Sequence, residues 1–236
     1  MTRTVRKAVV TGAASGIGRA LAVRLAADGY AVHLADIAST DDTAVETGGT
    51  SHLLDVTDPE QFDRFASAVG PVGLVCLNAG IVGDSLGPPW EVPPDEWTRL
   101  LNVNLLGVVN GLRAFVPLLI QSGTPSGILI TASLAGLLTF PGGGAYAATK
   151  HALVAVAEQT ALALSGTDIS VTLLCPALVR TAMSPEGADP ADVAGLAVDA
   201  VNAGRFLVVP DEWARAVGVR TERLLAGAVP VMPASE

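Results

Sequence analysis

Short apolar runs alternate along the chain with longer stretches in which apolar residues recur every three or four positions. The runs Ala8–Val10, Ala31–Leu34, Leu53–Leu54, Leu74–Leu77, Ile128–Ile130, Val171–Leu174 and Phe206–Val209 read as strands. They are continuous rather than alternating, which marks strands buried on both faces. Helices are expected near Ile17–Asp28, Pro59–Val69, Pro94–Gln121, Tyr146–Leu164 and Pro190–Ala203. Asp58–Pro59 and Asp189–Pro190 each place an N-cap residue before proline at the first helical position, and Gly204 is a natural stop. This alternation predicts right-handed βαβ crossovers and an α/β fold: a doubly wound parallel sheet of about seven strands, with helices on both faces. Ligands bind such sheets beyond the carboxyl ends of the strands, so the residues just after each strand carry the functional information.

Composition changes this picture little. The 236 residues fit one domain, 1–236, without repeats or a linker, and the Pro/Gly-rich Gly83–Pro94 reads as a loop. Half the residues are apolar and only 16% are charged, with a mean hydropathy of +0.49, so a membrane reading needs testing. No apolar run reaches about 18 residues without a charge or a cluster of polar groups and glycines. The first residues run from basic into a Val-rich strand and a glycine turn, and no signal peptide is expected. The net charge is −9 and the basic residues are scattered, which argues against nucleic acid and anionic membranes as partners. Two cysteines, Cys76 and Cys175, make no disulfide framework, and no Cys/His spacing suggests a metal. A reducing cytoplasm is the default compartment.

The first strand ends in "TGAASGIG", Thr11 to Gly18. Gly12, Gly16 and Gly18, with Ser15 and Ile17 between them, have the character of a tight turn that brings backbone and a helix N-terminus up to a pyrophosphate. Asp36 ends the second strand. A carboxylate there can accept from both hydroxyls of an adenosine ribose and repels a 2′-phosphate. No Arg or Lys stands in the turn before Gly16 or directly after Asp36 to offset that repulsion, so NAD is expected in preference to NADP.

"AYAATKHALVAV", Ala145 to Val156, holds the one charge between Arg113 and Glu158, which is Lys150. Tyr146 stands four residues earlier, on the same face of a helix. A phenol needs its pKa lowered from about 10 to about 7 to work near neutrality, which is about 4 kcal/mol. One cation about 4 Å away, at an effective dielectric near 20, supplies about that much before desolvation is subtracted. The pair therefore suits proton exchange with an alcohol/ketone couple.

Together these motifs resemble the short-chain dehydrogenase/reductase family, in its single-domain subgroup. The glycine turn matches TGxxxGxG, Tyr146–Lys150 matches YxxxK, and Asn78, Ala79 and Gly80 match the end of NNAG, with Leu77 in the first Asn place. The resemblance runs from about residue 6 to 183, and more weakly to Pro210. It implies a Rossmann-like fold and an NAD(P)-dependent oxidoreductase moving hydride between nicotinamide and a secondary alcohol or ketone. It implies that Tyr146 exchanges the proton, that Lys150 lowers the tyrosine pKa and holds the nicotinamide ribose, and that Ser133 positions the substrate oxygen. Asn104, in "LNVNLLG", corresponds to the residue holding a relay water. By the same carry-over Asp55 and Val56 lie at the adenine ring and Asn78 at the cofactor side of the fourth strand. Pro176, Val179 and Thr181, in "PALVRT", lie at the nicotinamide carboxamide.

The chain departs from the family at Ala177, where glycine is usual, and in the short polar segment between Asp36 and Asp55, where a helix is expected to be reduced or lost. The substrate loop, about 177–190, leaves little room for a helical lid, so a relatively open pocket is expected. The C-terminal helix and tail span about 211–236, and the tail is expected to be disordered or docked on a neighbouring subunit. His33, His52 and His151 form no metal or triad set, and Arg180 reads as a surface residue. Trp90, Phe140 and Met183 are loop residues that could touch substrate. Apolar helical faces in 103–120 and 151–164 exceed what one sheet face needs; in the family they form an interface, so a homotetramer or dimer is expected. The apolar "LAGLLTFPGGG" suggests a small, neutral, fairly apolar substrate. Two other readings remain: a catalytically inactive nucleotide-binding sensor or scaffold, and a sugar-nucleotide epimerase or dehydratase.

Overall fold

The computed structural model describes residues 6–85, 87–181 and 184–234; Met183, named above as a pocket candidate, lies outside them. In chain order the elements are β1 Lys7–Thr11, α1 Gly16–Ala27, β2 Ala31–Asp36, α2 Asp41–Thr47, β3 Thr50–Leu53, α3 Pro59–Val69 and β4 Leu74–Leu77. They continue with α4 Pro94–Leu100, α5 Gly107–Ser122, β5 Ser126–Thr131, α6 Gly144–Ala163, β6 Ile169–Leu174, α7 Pro190–Asn202, β7 Leu207–Val208 and α8 Asp211–Leu225.

The seven strands form one parallel sheet in the order β3-β2-β1-β4-β5-β6-β7. The order reverses between β1 and β4, the crevice where such folds bind ligands. One face carries α3, α5 and α6 around Phe62, Phe65, Phe115 and Leu153; the other carries α1 and α7 around Leu21, Leu25, Val193 and Ala197. Covering both faces explains the unbroken apolar strands: β4 and β5 are buried at every position.

Two elements differ from the reading of the sequence. The third strand is the polar Thr50–Leu53, not Leu53–Leu54. As a sheet edge it exposes Leu53 (80%), and the buried Leu54 (1%) lies beyond its end. The segment after Asp36 follows the expectation, its helix reduced to the seven residues of α2 rather than lost. The expected single helix from Pro94 is interrupted by a π-helical turn, Leu101–Leu106, between α4 and α5. The helical stretch Pro94–Ser122 has the length and apolar composition of a membrane span; here it packs against α3, α6 and β4.

The cap predicted at Asp58 forms, its Oδ1 accepting from Glu60 N at 2.9 Å and Gln61 N at 3.0 Å. Asp58→Ala should lower stability by about 1 kcal/mol, read as a fall in thermal midpoint of about 3 °C.

Candidate active site

The carboxyl ends of β1, β2, β4, β5 and β6 open into one cavity of about 1660 Å³. Asp36 and Asp55 mark one end, over β2 and β3; Ser133, Tyr146 and Pro176 stand further along, over β5 and β6. Sixteen of the eighteen residues assigned from the sequence to catalysis or cofactor binding line it: Gly12, Ser15, Gly16, Ile17, Asp36, Asp55, Val56, Asn78, Ala79, Gly80, Ser133, Tyr146, Lys150, Pro176, Val179 and Thr181. The other two, Gly18 and Asn104, stand behind the wall.

The glycine turn is shaped by close approach. Gly12 has φ +70°, and a Cβ there would lie 2.9 Å from the Cα of Ala79. A Cβ on Gly18 would lie 1.9 Å from Gly12 O and 2.7 Å from Asn78 Nδ2. Ser15 is the N-cap of α1 but makes no side-chain cap bond, which leaves the first-turn N–H groups available to an anion. Across the cavity, Thr181 Cγ2 comes within 3.0 Å of the Cβ position of Gly16.

Asp36 sits between β2 and this turn, its Oδ2 accepting from Ala14 N at 3.0 Å and its Oδ1 from Ala38 N at 2.9 Å. An ionised carboxylate has about four acceptor sites, so these two bonds leave capacity for hydroxyl donors. Asp55 Oδ1 accepts from Thr57 N and Thr57 Oγ1, which fixes the turn after β3. Glycines, a bare helix N-terminus and a rim carboxylate fit a dinucleotide.

At the other end, Ser133 caps the short 3-10 turn Leu134–Gly136, its Oγ accepting from Ala135 N at 3.1 Å. The same hydroxyl hydrogen-bonds Tyr146, which lowers the phenol pKa, but burial is the larger influence and the net direction is upward. Lys150 is 4% exposed and its Nζ donates to Thr131 O at 3.2 Å. It stands 5.7 Å from the centre of the Tyr146 ring. Burial lowers its own pKa to about 8, which leaves it mostly protonated near neutrality.

The chain by itself thus does not depress the tyrosine as the Coulomb estimate suggested. In so dry a site the cost of desolvating the phenolate outweighs the hydrogen bond from Ser133.

Asn104 differs most from its expected surroundings. The π turn aims it across to the strand end after β4, where Oδ1 accepts from Ile81 N at 2.8 Å. Its Nδ2 donates to Ile81 O at 2.9 Å and Thr149 Oγ1 at 3.2 Å. All its side-chain hydrogens and one lone pair are engaged within the protein.

Several contributing residues escape a reading of the motifs. Thr11 Oγ1 accepts from Asn78 N at 2.9 Å and Ala79 N at 3.1 Å, tying the end of β4 to β1. Thr11 was legible only as the first letter of the glycine motif. Cys175 lines the cavity, its thiol pushed up to about 12 by burial. Leu138, Phe140, Leu178, Trp213, Met232 and Pro233 give the far end its apolar walls. The last two show the tail returning to the cavity of its own chain, with Val229 O accepting from Arg223 at 2.7 Å.

Trp90 is 82% exposed and does not line the cavity, whereas Phe140 does. Arg180 pairs with Asp189 at 2.5 Å. His151 bonds Ala147 O and Arg220; His33 and His52 bond one another, 3.0 Å apart. No group of three potential metal ligands occurs among the described residues. Among its described residues the loop 177–189 contains no helix, and it is held by the Val179–Ala188 and Thr181–Ser184 bridges. Ala177 takes an ordinary negative φ, so its methyl group adds no backbone strain.

Residues 6–191 match the family model described as short chain dehydrogenase. The chain is 39% identical to the 1-deoxy-11-beta-hydroxypentalenate dehydrogenase of Streptomyces exfoliatus over 232 residues, covering 89% of this chain and 84% of that protein. It is 36% identical to an uncharacterized NAD-dependent oxidoreductase of Mycobacterium tuberculosis over 202 residues, covering 75% and 73% of the two chains. A short chain dehydrogenase/reductase from Burkholderia phymatum, solved in complex with NAD, superposes with a TM-score of 0.89 at 30% identity and covers 100% of both chains.

Proposed function

The chain belongs to the short chain dehydrogenase family and is an oxidoreductase, and from that premise we propose that it moves hydride between NAD and an apolar secondary alcohol or ketone, with Tyr146 as general acid/base. The observation that carries this reading is that Ser133, Tyr146 and Lys150 line the same cavity as the glycine turn and Asp36, which stand at its opposite end.

In this reading the α1 N-terminus and the turn Gly12–Gly18 hold the pyrophosphate, Asp36 the adenosine ribose, and Asp55 and Val56 flank the adenine. Asn78, Ala79 and Gly80 form the floor, and Pro176, Val179 and Thr181 hold the carboxamide. Once bound, the nicotinamide takes or supplies the hydride and, when oxidised, adds a positive charge near the phenol. Ser133 donates to the substrate oxygen, and Tyr146 takes the alcohol proton or returns it to the alkoxide. Lys150, its pKa lowered by burial to about 8, is mostly protonated near neutrality and stabilises the phenolate as it forms. Asn104 serves the relay through its grip on Ile81, since its side-chain donors are already taken.

The substrate class follows from the apolar far end and from the loop 177–190 and the segment 211–236 that border it. The test is a screen of secondary alcohols and ketones with NAD(H) and NADP(H), followed by reduced-cofactor absorbance. Turnover of bulky apolar members supports the reading; turnover confined to charged or polyhydroxylated ones overturns that part of it.

Asp36 makes a separate prediction about the cofactor. An unscreened carboxylate facing a 2′-phosphate should weaken NADPH at least about tenfold relative to NADH, measured by fluorescence titration. Equal or tighter NADPH binding would overturn this assignment.

We also place the protein in a reducing cytoplasm, consistent with Cys76 and Cys175 as buried free thiols. Leu101, Leu106, Ile120 and Leu162 are exposed on the long helices and support a homo-oligomer, a tetramer or dimer, built across them. Light scattering at micromolar concentration should give a multiple of the 23.9 kDa chain mass; a monomer would remove this part of the proposal.

A further inference from the structure

The segment Asn78–Ile81 lies between the glycine turn and the helix that bears Tyr146, and side chains fasten it at both ends. Thr11 holds Asn78 and Ala79; Asn104 holds both the N–H and the carbonyl of Ile81. Between them, the Cβ position of Gly80 is 3.2 Å from Asn104 Oδ1 and 3.3 Å from Lys150 Nζ. The floor of the site and the lysine therefore touch through a residue with no side chain.

The remaining Asn104 hydrogen goes to Thr149 Oγ1 at 3.2 Å, and Thr149 Oγ1 donates to Tyr146 O at 2.8 Å. A carbonyl only accepts, so the direction of the chain is fixed: Asn104 N–H to Thr149 oxygen, Thr149 O–H to the Tyr146 carbonyl. Threonine bonds to i−3 carbonyls are common and local. The link to Asn104 crosses 45 residues of sequence and joins the π turn to α6. Asn104 and Thr149 are both 0% exposed, so solvent cannot stand in for a lost partner.

We propose that Thr149 is a positioning residue: its hydroxyl sets the register of Tyr146 and Lys150 against the cavity floor on which the cofactor lies. This rests on reading Tyr146 as the proton-exchanging group. Thr149→Val keeps the shape and removes the hydroxyl; Thr149→Ser keeps the hydroxyl.

With the alcohol of highest kcat/KM from the screen, Thr149→Val should lower kcat about tenfold, the effect of one unpaired buried donor, and leave the KM for NAD within about twofold. The acid limb of its kcat–pH profile should move upward, and Thr149→Ser should stay within about twofold of the parent throughout. A substrate-free readout is the near-ultraviolet phenolate titration of the NAD-saturated protein. The chain has two tyrosines, so subtracting the Tyr146→Phe curve isolates Tyr146, whose midpoint should rise in Thr149→Val and not in Thr149→Ser. Equal losses in Val and Ser, an unchanged kcat in Val, or a lower kcat with an unmoved phenol titration would each overturn the proposal. If Thr149→Val does not fold, Thr149→Ala takes its place, and Ala behaving like Ser overturns it. Turnover retained in Tyr146→Phe would instead overturn the catalytic reading itself, whatever Thr149 does.

Discussion

Tyr146→Phe should reduce turnover about a thousandfold, within the range that general acid–base catalysis contributes, while NADH binds as before. The aromatic ring would remain to pack the cavity wall, and only the oxygen that exchanges the proton is lost. Buried as it is, that oxygen holds its proton more tightly than a free phenol, so Lys150 alone does not activate it. Activation is expected only in the loaded site, where a second positive charge and the Ser133 hydroxyl act on the same atom. The profile of alcohol oxidation should accordingly rise with pH as the tyrosine loses its proton, and the variant should lose that limb. Steady-state kinetics with a fluorescence titration of NADH tests both halves. A variant that keeps more than about a tenth of the parent rate would assign the proton transfer elsewhere.

Gly18→Ala should have the second large effect, and for a reason unrelated to chemistry. The added methyl group would stand 1.9 Å from Gly12 O and 2.6 Å from Gly12 C, distances that backbone atoms cannot yield without reopening the turn. A clash of this size, against backbone that cannot yield, costs about 3 kcal/mol, the upper end of what overpacking usually costs. In a chain of this length that lowers the thermal midpoint by about 10 °C. Because Gly12 carries the turn onto Ala79, relief of the clash should also cost NADH affinity, by tenfold or more at about 1.4 kcal/mol per decade. Calorimetry and NADH titration of the variant measure the two losses; normal stability with normal NADH binding would refute the packing argument.

Much of this was legible from the sequence. Six of the seven strands were predicted in place, because a sheet covered on both faces leaves continuous apolar runs that local inspection detects. The edge strand β3 was predicted out of place because exposed polar residues such as Thr50 and Ser51 carry no such signal. Asp58 and Asp189 announced their helices because capping is a local interaction, settled within three residues. The interruption at Leu101–Leu106 had no local cause to read: an asparagine in a helix has several possible partners, and Ile81 and Thr149 are distant in sequence.

The sequence by itself determined the doubly wound sheet, the glycine turn, the carboxylate at Asp36 and the Tyr146–Lys150 spacing. Each depends on periodicity, or on residues a few positions apart. The tertiary structure alone decided how Lys150 and Tyr146 are solvated, where the Asn104 amide is spent, and that Trp213 and Met232 close the far end of the cavity. Burial and long-range hydrogen bonds depend on which surfaces meet. The register of the strands and the angle of α6 fix those meetings, and no stretch of sequence contains them.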